Sequence, residues 1–288
     1  MKHLIISTFA ISSLFLVACG GSQESKTTEN NDSAAATVAT TDTGTIDKEK
    51  EFKFQMIIAG IPSPAILVVD LAKSGFKYND KLVNDADNAS KYNTTFKKGV
   101  NYGVYLADMA YLASFSQSTG VLKEFKATRT LADANGIVSV FDSLAAGHFK
   151  DAAVLTNVDS VEMWLDQIYT ATDEFLANDH RLDFATKILL GSWVESNYII
   201  LSYLSNAPKT DKNGKVYQML LEQKNHITNI ISLLKEYDDH AELTKVREDL
   251  EKYNANYEGI GTVDALAPKV KAMSEAMTAL RATIVAIG

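Results

Sequence analysis

Two acids in this chain stand where an acid is costly. Asp108 lies in Tyr105-Leu-Ala-Asp108-Met-Ala-Tyr111, and Glu195 lies in Gly191-Ser-Trp193-Val-Glu195-Ser-Asn-Tyr198. A carboxylate in an apolar helix needs hydrogen bonds or a counter-charge, or it takes up a proton. Such a pair suits general acid–base chemistry or cation binding. It suits equally an internal polar network that fixes helix register. Asn101, Asn197, the nearby tyrosines and the only four arginines (Arg129, Arg181, Arg247, Arg281) can supply partners. Both carboxyls are expected to be buried, each bonded to a side chain from a different helix. Tyr105, Tyr111, Trp193 and Tyr198 flank them. Beside an open cleft these rings would suit an amphipathic ligand; without one they are core.

Other chemistries find little support. There is no His-Glu-x-x-His motif and no Glu-x-x-His pair, so no metal site is expected. Glu222 and His226 are four apart and read as a solvated pair. Asp85-Ala-Asp87-Asn88 has the opening of a calcium loop, but Ser90 stands where the loop needs glycine and Phe96 where it needs an acid. It reads as a polar turn. No Gly-x-Ser-x-Gly elbow and no cysteine nucleophile support covalent catalysis. Gly259-x-Gly261 follows no strand, and Gly99-x-x-x-Gly103 opens an apolar helix, where it implies close helix packing rather than a phosphate loop. Nothing implies a cofactor.

The elements that must carry the two acids are helices. Val100 to Phe115 and Phe184 to Leu204 are apolar nearly all round, which predicts two central helices buried on every side. Lys187 and Glu195 interrupt the second and argue against a membrane span. Amphipathic helices are expected around them. Val161, Trp164, Leu165, Ile168, Phe175 and Leu176 mark one such stripe; Val216, Leu220, Ile227, Ile231 and Leu234 mark another. Leu243, Val246, Leu250, Tyr253 and Tyr257 predict one member of a C-terminal antiparallel pair. Leu266, Val270, Met273, Met277, Leu280, Ile284 and Ile287 predict its partner, with Pro268 in the first turn. Arg281 stands one step off that stripe and is expected to matter far less to stability than Leu280. Only Phe52 to Ile58 reads as extended. The expected fold is all-α, a single bundle of about eight to nine helices.

The N-terminus reads as an address. Lys2 and His3 precede an apolar run from Leu4 to Leu16, too short for a comfortable membrane span. Leu16-Val17-Ala18-Cys19 resembles the lipobox of a bacterial lipoprotein signal peptide. The resemblance implies removal of residues 1–18, a diacylglyceryl thioether on Cys19 and attachment to a membrane; two or more acyl chains anchor stably where one does not. Gly20 rather than Asp after the cysteine favours the outer membrane, facing the periplasm or the cell surface. Residues 19–48 are small and polar and predict a disordered tether, with a globular domain over 49–288. The lone cysteine excludes an internal disulfide. A formal charge of −8 with so few arginines makes nucleic acid an unsuitable partner.

From about residue 61 to 204 the chain is similar to an uncharacterised family of helical lipoproteins from the envelopes of Gram-negative bacteria. The similarity rests on Pro62-Ser-Pro64, Ser74-Gly75 with Tyr78, Lys91-Tyr92 and Asn101-Tyr-Gly103-Val-Tyr105 leading to Asp108 and Tyr111. It continues through Gln117, Leu131-Ala132, Gly136-Ile137, Asp159-Ser160, Arg181, Gly191-Ser-Trp193-Val-Glu195 and Tyr198, and departs at Asn135 and Ser196. It implies a fold and an envelope location and no reaction. The leading expectation is an outer-membrane lipoprotein that binds a small molecule or another envelope protein. The alternative is an envelope enzyme using Asp108 and Glu195 as acid and base. An enzyme needs both acids in one solvent-reached cleft; a binding module can seal them in its core.

Overall fold

Helix α3 (Thr95–Ser114) and helix α7 (Leu182–Leu204) form the axis around which the rest is packed. Nearly every residue of both is buried, as an all-round apolar helix requires. The computed structural model describes residues 43–61, 64–148 and 157–287. The expected signal peptide, Cys19 and the tether as far as residue 42 lie outside the described residues, as does Pro62. Among the described residues there are helices and turns and no strand.

Around the axis stand α1 (Thr43–Ala59), α2 (Pro64–Lys73), α4 (Ser118–Ala134), α5 (Val138–His148), α6 (Val158–Asn178), α8 (Gly214–Leu234), α9 (Ala241–Asn254), α10 (Val263–Leu266) and α11 (Val270–Val285). That makes eleven α-helices among the described residues, against the eight to nine expected. Two causes account for the difference. The single C-terminal helix expected from Leu266 onward is broken by a 3-10 turn, Ala267–Lys269, carrying Pro268, which yields α10 and α11. And Phe52 to Ile58, expected to be extended, is helical. Phe54 and Ile57 are buried three apart while Phe52 and Met56 face out; a strand would put Phe54 and Met56 on the same face. Helix α1 also begins at Thr43, so the boundary expected at residue 48 falls inside it.

The stripes read from the sequence are the buried faces of α6, α8, α9 and α11. The exceptions are Phe175, which is half-buried on α6, and Ile287, which is 46% exposed beyond the end of α11. Helices α9 and α11 pack on each other, and α11 packs more extensively on the central α7. No described helix is long and apolar enough to cross a membrane, and Lys187 in α7 is held by Asp183 one turn earlier at 2.7 Å.

Three tight reversals set the helix order around the axis. After α3, Ser116 takes a left-handed conformation (φ 57°) and Gln117 N–H closes back on the Leu112 carbonyl at 2.8 Å. Gly136 after α4 and His180 after α6 do the same, with Ile137 bonding Ala132 at 2.9 Å and Arg181 bonding Leu176 at 2.8 Å. The first of these folds α4 back along α3.

The segment between α2 and α3 completes the site. It consists of two 3-10 turns, Asp80–Leu82 and Ala86–Lys91, capped by the side chains of Asn79 and Asp85. Asp85 accepts the Asp87 N–H at 3.0 Å, so the stretch with the opening of a calcium loop is the capped polar turn that its missing ligands implied. It lies against α4 and α3.

Candidate functional site

Asp108 on α3 and Glu195 on α7 are both 0% exposed. Glu195 receives Arg281 of α11 in a two-pronged pair, Nε to Oε2 at 2.6 Å and a terminal guanidinium nitrogen to Oε1 at 2.7 Å. The guanidinium lies over the Tyr198 ring, 4.3 Å from its centre, and reaches the Leu82 carbonyl at 3.4 Å. Such a fork holds both carboxylate oxygens and fixes the plane of the pair. Burial opposes the arginine charge, but Glu195 outweighs it and the arginine pKa is raised.

Asp108 has no cation of its own. Its Oδ2 accepts the backbone N–H of Asn84 at 2.8 Å, and its Oδ1 has no donor. Burial first, then the charges of Glu195 and Glu124, push its pKa well above the ordinary carboxyl value. A protonated Asp108 turns from acceptor to donor, and the hydrogen bond it gives lowers the pKa of Glu195. Burial raises Glu195 most strongly, with Arg281 and Asp108 opposing it. Burial and the neighbouring carboxyls thus favour the neutral form of Asp108, while the Arg281 guanidinium offsets the charge of Glu195.

These groups pin the 3-10 segment to the bundle. Asp108 takes the N–H of Asn84, Arg281 the carbonyl of Leu82, and Tyr105 Oη donates to the carbonyl of Asp85 at 2.9 Å. Tyr111 accepts the N–H of Asn79 at 2.9 Å and shares a 2.6 Å hydrogen bond with Tyr203, whose hydroxyl donates to the Lys77 carbonyl at 2.7 Å. The end of α11 is fastened nearby: Asn101 Nδ2 donates to the Ile284 carbonyl at 3.1 Å and Tyr92 Oη to the Val285 carbonyl at 3.1 Å. Positive and donor groups at a helix C-terminus meet its unpaired carbonyls and its negative dipole end.

Of the six residues singled out in the sequence, Asp108, Glu195, Tyr105 and Tyr198 meet around this core. Tyr111 lies farther along the segment, in an aromatic group with Tyr78, Phe115 and Tyr203. Trp193 points to the opposite side of α7, where its indole donates to Gln223 Oε1 at 2.9 Å. The expectation that Asp108 would take a Tyr, Asn, Trp or Arg side chain from another helix is corrected: it accepts the Asn84 backbone N–H in the segment between helices and interacts with the Glu195 carboxyl. The expectation for Arg281 is corrected more strongly. Its side chain is only 13% exposed and is the counter-ion of the core. On α11, Met277, Arg281 and Ile284 step by four and three, so the arginine occupies a second inward position that the Leu280 phase of the stripe hides.

The sequence reading also missed Glu124. It stands on α4 at an inward position, between Val121 and Thr128, and is 4% exposed. The signal was a charged residue in an apolar phase, masked by its neighbours Lys123 and Lys126. Glu124 lines a cleft of about 630 Å³ between α4 and the 3-10 segment. Asp80, Asp85 and Asp87 stand on the far wall, and Leu112, Ala89 and Ala127 form apolar floor. Its Oε2 is sealed and has no partner. Burial, with Glu195 and Asp85 adding repulsion and Lys123 opposing, raises its pKa to about 8.

Glu222 and His226 are engaged with Gln218 and Gln223 respectively. Among the described residues no group of His, Cys, Asp or Glu could hold a metal ion. No family, no curated protein and no solved structure matches the chain.

Proposed function

We propose that this protein is a lipoprotein of the outer membrane, anchored through Cys19, whose helical domain binds a ligand without transforming it. The observation that carries the reading is the division between the acids. Asp108 and Glu195 are wholly buried, Glu195 held by the Arg281 fork and Asp108 by the Asn84 backbone, and both lie out of reach of a substrate. Their bonds instead hold rigid the segment that forms one wall of the cleft. Glu124 is the acid that faces the cleft with bonding capacity unspent. A preformed cleft with one unspent polar group is suited to recognition. The lipobox-like Leu16-Val-Ala-Cys19 and the small-residue stretch after it support the anchoring half of the reading.

Two measurements on the expressed full chain test the two halves. Cys19→Ser is expected to remain unprocessed or leave the membrane fraction, since the thioether needs sulfur; a mature-sized serine variant still in the membrane would sink the anchor. A thermal-shift screen of envelope small molecules is expected to return ligands that raise the melting temperature and are recovered at unchanged mass. A stabilising compound recovered as a product would overturn the binding reading in favour of an enzyme.

A further inference from the structure

We infer that the cleft between α4 and the 3-10 segment takes an alkylammonium ligand, a primary amine or diamine, with Glu124 as its counter-ion. The inference rests on the binding reading and names the ligand class. Glu124 is almost completely buried, yet no donor meets its side chain; its Oε2 is sealed off with nothing opposite, which leaves Oε1 as the oxygen that meets a ligand in the cleft. A buried acceptor left without a donor is destabilising unless something arrives to fill it. The cleft wall opposite carries Asp80, Asp85 and Asp87, against Lys123 and Lys126 on the α4 side. The local excess of negative charge selects a cation.

The shape selects an organic one. A divalent ion would need several converging ligands, and among the described residues no group of His, Cys, Asp or Glu could hold a metal. An ammonium needs few acceptors, and its alkyl body has apolar surface to lie on at Val83, Leu112, Ala89 and Ala127. The volume of about 630 Å³ leaves room for a chain of several carbons. In a diamine the second ammonium would meet the aspartates at the rim.

Binding in this arrangement moves a proton. At neutral pH the Glu124 carboxyl is largely protonated, its pKa standing near 8. The charged groups around it are Asp85 on the segment, Asp108 on α3, Glu195 on α7, and Lys123 on α4 itself; the Arg281 charge is committed to Glu195. Helix α5, also packed on α4, offers Asp142, which is spent on Arg129 at 2.8 and 2.7 Å. An incoming ammonium therefore ionises Glu124. The O–H bond breaks, the proton leaves to solvent, and the carboxylate pairs with the intact ammonium. Below the Glu124 pKa the affinity must rise about tenfold per pH unit, and it levels above it.

The test is calorimetric titration of the full chain in detergent with 1,4-diaminobutane, at pH 6, 7 and 8, in two buffers of different ionisation enthalpy. Expected are saturable binding, a tenfold gain in affinity from pH 6 to 7, and release of close to one proton per ligand at pH 7. Glu124→Gln is expected to weaken binding at least tenfold at pH 8, and Glu248→Gln, an exposed acid on α9, to leave it unchanged. The neutral 1,4-butanediol is expected not to bind. Absence of heat from the diamine at pH 8, binding without proton release, or equal loss in both variants would each overturn the assignment. A different class of molecule emerging from the thermal-shift screen, with the diamine silent, would remove the amine and leave the binding reading standing.

Discussion

Replacing Arg281 with alanine is expected to destabilise the protein by about 3–5 kcal/mol, as much as emptying the neighbouring Leu280 position. The reason is what the substitution leaves behind. Glu195 is wholly buried and both its oxygens are occupied by the guanidinium at 2.6 and 2.7 Å. Removing one partner of a buried pair strands the other charge in a medium that cannot solvate it, and such losses run to about 3–5 kcal/mol. Leu280→Ala is expected to cost about 2–5 kcal/mol by cavity formation. Arg281→Lys should restore only part of the loss, because a point charge cannot make the fork or lie flat on Tyr198. Combining Arg281→Met with Glu195→Gln should cost less than the sum of the single changes, since the two residues share one interaction. Urea unfolding of these four variants and of the single Arg281→Met and Glu195→Gln changes checks this. An Arg281→Ala protein within 1 kcal/mol of the parent, the usual scale for an exposed pair, would refute the buried pair.

Gly191→Ala is expected to be of similar severity for a different reason. A Cβ at Gly191 would stand 1.8 Å from the Val100 carbonyl oxygen, and one at Gly103 would stand 2.1 Å from the carbonyl oxygen of Ile188. Both obstacles are backbone, so the two central helices must move apart. That separation would shift Asp108 relative to Glu195 and break the Ser192 Oγ hydrogen bond to the Gly103 carbonyl at 3.1 Å. Overpacking typically costs about 1–3 kcal/mol, and a clash with backbone places Gly191→Ala at the upper end of that range. Gly214→Ala is the control. Nothing lies within 4 Å of its added methyl group, and relief of unfolded-state entropy should make it neutral or stabilising by up to about 1 kcal/mol. Thermal unfolding of the pair measures the difference, and equal melting temperatures would contradict the close crossing of α3 and α7.

Much of this architecture was legible in the sequence because burial on all sides and burial on one side leave different patterns. The central helices showed as runs without a polar face, and α6, α8, α9 and α11 as single stripes. Gly99-x-x-x-Gly103 pointed to close packing, although its chief partner, Gly191, was not paired with it. The acids Asp108 and Glu195 were conspicuous because no other residue near them is charged. Arg281 and Glu124 were not conspicuous, for the opposite reason. Each sits on an amphipathic helix, Glu124 between Lys123 and Lys126 and Arg281 one step off an apolar stripe, where a small change of phase separates an inward residue from a solvated one. The 3-10 segment was equally opaque. Its turns follow from Asn79 and Asp85 capping, but its position over Asp108 depends on backbone groups that carry no side-chain signature. Phe52 to Ile58 misled because a short apolar run fits a strand or a helix until its neighbours decide which face is covered.

The central claim is that Asp108, Glu195 and Arg281 hold the fold together while Glu124 is kept in an apolar wall at the expense of stability. The most direct measurement compares the melting temperatures of the protein and of Glu124→Gln from pH 4.5 to 9. A carboxyl whose pKa rises from 4.5 to about 8 on folding favours the folded state fully below 4.5 and loses that contribution as the pH climbs through 8. Glutamine has no charge to bury. Asp173, raised by burial alone, titrates in both proteins and cancels in the comparison, whereas Asp108 loses the repulsion of the Glu124 charge in the variant, which adds to the variant's stability at high pH. The two curves should therefore nearly coincide at pH 4.5 and separate steadily above it. By pH 8 the variant should be the more stable by an amount on the order of 4 kcal/mol, with the shift from 4.5 to about 8 setting the scale. Parallel curves, or a variant less stable than the parent at pH 8, would show that Glu124 is a satisfied structural acid, and the cleft would lose the group on which its function rests.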